Sequence, residues 1–61
     1  MRVGDLVRFR EYDNEPDYRI GLLIRYDSFT KVAEILVDGY MFYAPARLVQ
    51  VHRRGKKINE R

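Results

Sequence analysis

Asp38-Gly39 separates two alternating apolar runs, Lys31–Val37 and Tyr40–Ala44, and this dipeptide constrains the chain more than any other local feature. Between such runs, Asp-Gly reads as a two-residue type I′ turn, with φ > 0 at both positions. A two-residue hairpin fixes register. Val37 is then opposite Tyr40, Ile35 opposite Phe42 and Ala33 opposite Ala44, all on one face. Val32, Glu34, Leu36, Met41 and Tyr43 share the other face. The first set carries no charge and is the expected core.

The same cadence of short apolar runs closed by turn residues extends along the chain. Gly4-Asp5 forms a turn, and Leu6–Arg10 follows as a strand with Val7 and Phe9 alternating with Arg8 and Arg10. Residues 11–18 lack periodicity and contain Asn14 and Pro16, so they read as a loop. Arg19–Tyr26 is the second strand, with Ile20, Leu22 and Ile24 on one side and Leu23 and Arg25 on the other. Gly21 marks an expected bulge or tight bend. Asp27-Ser28 turns the chain into the third strand. After the fourth, Pro45 blocks further pairing, Ala46-Arg47 is expected to be a single 3₁₀ turn, and Leu48–Val51 a last short strand.

The layout is therefore all-β, with five strands, in one domain. A chain of 61 residues buries only about 60% of its unfolded surface, and this one has no cysteine to staple it. Closure of the sheet, self-association or a host assembly is expected to supply the remaining stability. The absence of cysteine fits a reducing compartment. No apolar signal core and no run of about 18 apolar residues occurs, so neither a signal peptide nor a membrane span is expected. Met1 reads as the start of a complete small gene product, located in the cytoplasm or in a virion.

Charge is distributed unevenly. Residues 1–51 hold seven Lys/Arg against eight Asp/Glu, whereas residues 52–61 hold Arg53, Arg54, Lys56, Lys57 and Arg61 against Glu60 alone. The net charge of +3 thus belongs to the C-terminal segment. The expected division is a folded body over residues 1–52 and a basic, solvated tail over 53–61.

Gly4-Asp5-Leu6-Val7, Gly21-Leu22-Leu23-Ile24, Ala33-Glu34-Ile35-Leu36-Val37 and Ala44…Leu48-Val49-Gln50-Val51 together resemble the SH3-like small barrels. These include Tudor and KOW modules, the small stromal barrel subunit of photosystem I, and short one-barrel proteins of tailed bacteriophages. The phage proteins are the nearest in length and form. The resemblance covers residues 3–51. It implies a strongly bent five-stranded barrel with a 3₁₀ turn before the last strand, binding through loops and no catalysis. There is no Trp, and Leu48 stands where peptide-binding SH3 domains place a groove tyrosine, so polyproline binding is not expected. Tyr12, Tyr18 and Tyr26 are the aromatics available for a cage around a methylated cation.

Three features are candidate sites. Glu11, Asp13, Glu15 and Asp17 alternate in the first loop. Their spacing matches the opening of a calcium loop, but Pro16 and Leu22 occupy the positions that need Gly and Glu, so no metal is expected. The four carboxylates are expected to be uncompensated, forming either a solvated acidic loop or one that docks a basic partner. The basic tail is the second candidate, and the choices are a phosphate-binding arm, a protein anchor or a solubilising terminus. Leu36, Met41 and Tyr43, with Val32 at their edge, form the third: an outward apolar set that is either a protein interface or a face half-buried by the bending of barrel strands. His52 is the only histidine and lacks a ligating neighbour. No nucleophile–base pair, catalytic carboxylate pair or phosphate-cradling glycine loop can be assembled. The sequence thus points to a non-enzymatic, cofactor-free interaction module, in the manner of a phage accessory or virion structural protein. The second expectation is a nucleic-acid-associated factor that uses the tail, helped by Arg8, Arg10 and Arg25. Self-association is open in either case.

Overall fold

The computed structural model describes residues 1–53. Five strands follow in order: β1 (Leu6–Phe9), β2 (Arg19–Asp27), β3 (Val32–Val37), β4 (Tyr40–Pro45) and β5 (Val49–Arg53). A 3₁₀ turn over Ala46–Leu48 joins the last two. All pairings are antiparallel within one sheet of order β4-β3-β2-β1-β5. β4 and β5 are its two edges, with no ladder between them, so the expected barrel is seen as far as a five-stranded antiparallel sheet. Among the described residues, no helix is long and apolar enough to cross a membrane.

Asp38 and Gly39 both take positive φ, +50° and +84°, and β3 pairs with β4 in the register that a two-residue turn imposes. Ala33, Ile35 and Ala44 are buried together with Val7, Phe9, Leu23 and Val49, and Val37 and Phe42 pack against them. The Phe9 and Phe42 rings meet at 5.9 Å, tilted by 57°. Tyr40, expected in this core, is exposed instead; it stands at the turn end of the hairpin, in the last pair before Asp38-Gly39.

The opening Gly-Asp is structural. Gly4 adopts φ +98°, and its N–H donates to the Leu23 carbonyl at 2.9 Å. The Asp5 N–H donates to Arg2 O, and its carbonyl accepts from Leu23 N–H at 2.9 Å. Its buried carboxylate accepts the Arg2 N–H at 2.8 Å. The turn that starts β1 is thereby tied to the middle of β2.

β2 departs from its expected form. The register irregularity in its ladder with β3 falls between Leu23 and Arg25, at Ile24, rather than at Gly21. One extra residue reverses the alternation. Arg25 therefore joins Ile20, Leu22 and Ile24 on the outer side, pairing with Glu34, while Tyr26 turns inward opposite Ala33. Gly21 serves close approach instead. A Cβ there would lie 2.6 Å from the Leu36 carbonyl oxygen.

Chain boundaries shift slightly elsewhere. Arg10 lies beyond β1, with its N–H bonded to Leu48 O at 3.3 Å. Lys31 sits in the turn at φ +64°. Pro45 still pairs with Val32, and Ala46 N–H carries the bonding one step further, to Lys31 O at 2.8 Å. Leu48 ends the 3₁₀ turn as a buried residue rather than opening β5. Arg53, assigned to the tail by composition, is the last residue of β5 and stands opposite Leu6.

Candidate functional surfaces

The strand registers place Leu6 beside Leu22, Leu22 beside Leu36, and Leu36 beside Met41. These four side chains form one apolar row across β1, β2, β3 and β4 on the outer face. Leu22 and Met41 are 37% and 42% exposed, and Leu6 and Leu36 are half-buried. Ile20 and Ile24 flank the row along β2, and both are exposed. Tyr43 stands one rung away, opposite Glu34, which is itself opposite Arg25. Of the expected interface, Leu36, Met41 and Tyr43 are thus brought together. Val32 lies a further rung along, opposite Pro45, and lines a separate depression of about 340 Å³ with Thr30, Lys31, Ala46 and Arg47. Hairpin chemistry finds only the β3–β4 part of the row. Leu6, Leu22, Ile20 and Ile24 enter through the β1–β2 and β2–β3 registers, which no turn dipeptide announces.

The acidic loop is half compensated within the chain, two guanidiniums facing four carboxylates, so the expectation of four unpaired carboxylates is corrected for Glu11, Asp13 and Glu15. Arg19, at the start of β2, reaches back with Nη1 to Glu11 at 3.1 Å and Glu15 at 2.9 Å. Its guanidinium also lies 5.0 Å from the centre of the Phe42 ring. Glu15 uses its second oxygen to accept the Glu11 N–H at 2.9 Å. Asp13 pairs with Arg47 of the 3₁₀ turn through both carboxylate oxygens. That hydrogen bond, more than the accompanying charge attraction, lowers the Asp13 pKa below its ordinary value and raises that of Arg47. Asp17 is the one loop acid with neither hydrogen bond nor ion pair among the described residues. Geometrically, the loop is a strap fastened to the sheet and to the 3₁₀ turn, with two of its four negative charges unmatched among the described residues. Among the described residues, no three of His, Asp and Glu gather as a metal site requires.

The β1–β5 side of the outer face is cationic. Arg8 stands between Ile20 and Gln50, and its Nε and Nη2 donate to Gln50 Oε1 at 3.0 and 2.7 Å. The Arg8 and Arg10 guanidiniums lie 5.1 and 5.0 Å from the centre of the Tyr18 ring, which is 47% exposed. Tyr18 therefore belongs to this cluster, Tyr26 is packed against the core, and Tyr12 is exposed. His52 is exposed on β5. Of the basic tail, Arg54, Lys56, Lys57 and Arg61 lie outside the described residues.

The β2–β3 turn is held by Asp27, whose Oδ1 accepts the N–H groups of Phe29 at 2.9 Å and Thr30 at 3.3 Å. These bonds lower the Asp27 pKa. Phe29 is presented at the tip, 93% exposed.

No protein-family model, no curated protein and no solved structure matches this chain.

Proposed function

We propose that the chain is a non-enzymatic interaction module that docks on a larger protein assembly through the outer face of its sheet. The observation that carries this is the row Leu6–Leu22–Leu36–Met41, bordered by Ile20, Ile24 and Tyr43. A small monomer seldom leaves a contiguous apolar cluster of this kind in water without a use for it. Leucine, methionine and tyrosine around one centre, with Arg25 and Glu34 at the side, match the apolar core and polar rim of a protein interface.

The strand order β4-β3-β2-β1-β5, a nine-residue β2 interrupted by a bulge, and a 3₁₀ turn between the two edge strands support an SH3-like barrel in which β2 serves both halves. A one-barrel chain with a charged C-terminal segment suits an accessory or virion structural protein of a tailed phage, present in particles or in the cytoplasm of the infected cell. Cofactors have no part in this role.

The test is co-expression with the proteins encoded alongside, followed by size-exclusion chromatography with light scattering. The unmodified chain is expected to elute in a complex, and Met41→Glu to elute as a folded, free protein. A chain that stays monomeric, or a complex indifferent to Met41→Glu, sinks the interface.

A further inference from the structure

The cationic cluster on the β1–β5 side is not absorbed by the docking role, and its chemistry differs from that of the apolar row. Ion pairing among the described residues involves Arg19, Arg25 and Arg47; Arg8 and Arg10, like Arg2 and Lys31, have no ion pair there, although Arg10 is near enough to Asp13 to attract its charge. Arg8 is steered by a neutral amide, Gln50. Arg10 makes one long bond, Nη1 to Glu15 O at 3.4 Å, and its Nε is buried with no acceptor. Both guanidiniums are held against Tyr18, whose ring is half in solvent. β5 borders β1 on this side, and the sequence continues from β5 into Arg54, Lys56 and Lys57.

We propose that Arg8, Arg10 and Tyr18 form a binding site for single-stranded nucleic acid. Two guanidiniums without an ion pair among the described residues supply positive charge for successive phosphates, and the part of the Tyr18 ring that they leave open to solvent supplies a stacking surface for a base. Such a pairing is sequence-tolerant, since every base has a π-face. A duplex keeps its base faces stacked inside and offers Tyr18 nothing. An acidic peptide uses the charge and leaves the ring idle. Arg19 and Arg47 offset two of the four negative charges of the neighbouring acidic loop, which lessens its pull on the cationic site. Asp17, next to Tyr18 in the chain and without a hydrogen bond or ion pair among the described residues, is a loop charge beside the site that no cation offsets there. The site lies on the folded body, so it is distinct from a tail acting alone.

The test is fluorescence anisotropy of the full chain with labelled oligothymidylate and a mixed-sequence single strand, from about 50 to 300 mM salt. Both strands are expected to bind with similar affinity and to weaken as salt rises. Tyr18→Ala is expected to weaken binding about tenfold, while Tyr18→Phe, which keeps the ring, binds as the unmodified chain does. The double substitution Arg8→Gln with Arg10→Gln is expected to reduce the log–log salt slope by about 1.4, at about 0.7 per phosphate contact on a single strand. Asp17→Asn is expected to tighten binding severalfold. Removing residues 54–61 is expected to weaken binding while preserving the Tyr18→Ala loss. No binding at the lowest salt overturns the proposal, as does equal affinity for duplex. So does binding that disappears with residues 54–61 and ignores Tyr18→Ala and the arginine pair. Circular dichroism melting of each variant separates lost binding from lost fold, and Tyr18→Phe and Asp17→Asn keep the test decisive if Tyr18→Ala unfolds.

Discussion

At the scale of single residues, two glycines show how one residue type answers different demands. Gly21 is required by space: an added Cβ would meet the Leu36 carbonyl oxygen and Val37 Cγ2, each at 2.6 Å, and Ile35 Cγ2 at 2.7 Å. One of these is backbone, so β2 and β3 must part. Gly39 is required by conformation, with φ +84° and nothing within 4 Å of its missing Cβ. Gly21→Ala should therefore cost roughly 2–3 kcal/mol as overpacking, and Gly39→Ala about 1 kcal/mol as left-handed strain. At about 4–8 °C per kcal/mol for a domain of this size, thermal melting should rank Gly21→Ala well below Gly39→Ala. Equal shifts would refute the assignment of Gly21 to close approach. Sequence alone marks both positions as glycine but separates only Gly39, because Asp-Gly between alternating runs is a local signal. The crowding at Gly21 arises from β3, on the far side of a turn.

At the scale of elements, the sequence is informative wherever a local rule fixes geometry and uninformative wherever a tertiary contact does. The five strands and the 3₁₀ turn follow from alternation and turn residues, and the β3–β4 register follows from Asp38-Gly39. The bulge at Ile24 does not, because nothing in Leu-Leu-Ile-Arg-Tyr singles out the residue that loses its partner. The pairing of the first-loop acids was equally illegible, since Arg19 and Arg47 reach them only once the loop has folded back. That loop and the β2–β3 turn give a pH prediction. Asp13, through Arg47, and Asp27, through the N–H groups of Phe29 and Thr30, have folded-state pKa values below the ordinary 3.8. A depressed carboxylate contributes stability that is fully present above its unfolded value and lost as pH falls through its folded value. The melting temperature should thus be flat from neutral pH down to about pH 5 and fall below about pH 4. Asp27→Asn should lower the plateau and shrink that acid slope. An acid slope identical in Asp13→Asn, Asp27→Asn and the unmodified chain would show that other carboxylates carry it. Asp13→Asn should also speed amide exchange across residues 11–15 at neutral pH and lower the melting temperature only slightly, because the tie to Arg47 is solvent-exposed and holds the strap more than the core.

At the scale of the whole molecule, β2 divides two kinds of work between adjacent leucines. Leu23 is fully buried in the core with Val7, Phe9 and Ile35, whereas Leu22 sits in the outer row between Leu6 and Leu36. The outer set was readable from sequence only for Leu36, Met41 and Tyr43, because their register came from one turn; the row became continuous only when all the ladders were in place. Stability is expected to be narrow: about 0.05–0.15 kcal/mol per residue gives a total of roughly 3–9 kcal/mol for a chain this short. Against that margin, Leu23→Ala, at about 2–5 kcal/mol for a large-to-small core change, removes about half of the available stability. Leu22→Thr removes a side chain about a third open to water and puts a β-branched residue in a strand, so its cost should be about 1 kcal/mol. Chemical denaturation should therefore show a midpoint for Leu23→Ala cut to about half of the original, and one for Leu22→Thr much closer to it. If the outer face is the docking surface, association with the assembly should follow the opposite pattern to stability. Leu22→Thr would lose its partner while folded, and a conservative core change such as Ile35→Val would keep it. A Leu22→Thr chain that folds and still associates would mean that the row merely shields the back of the sheet, and that the partner contacts lie on another surface, with Phe29 on its braced turn the next place to look.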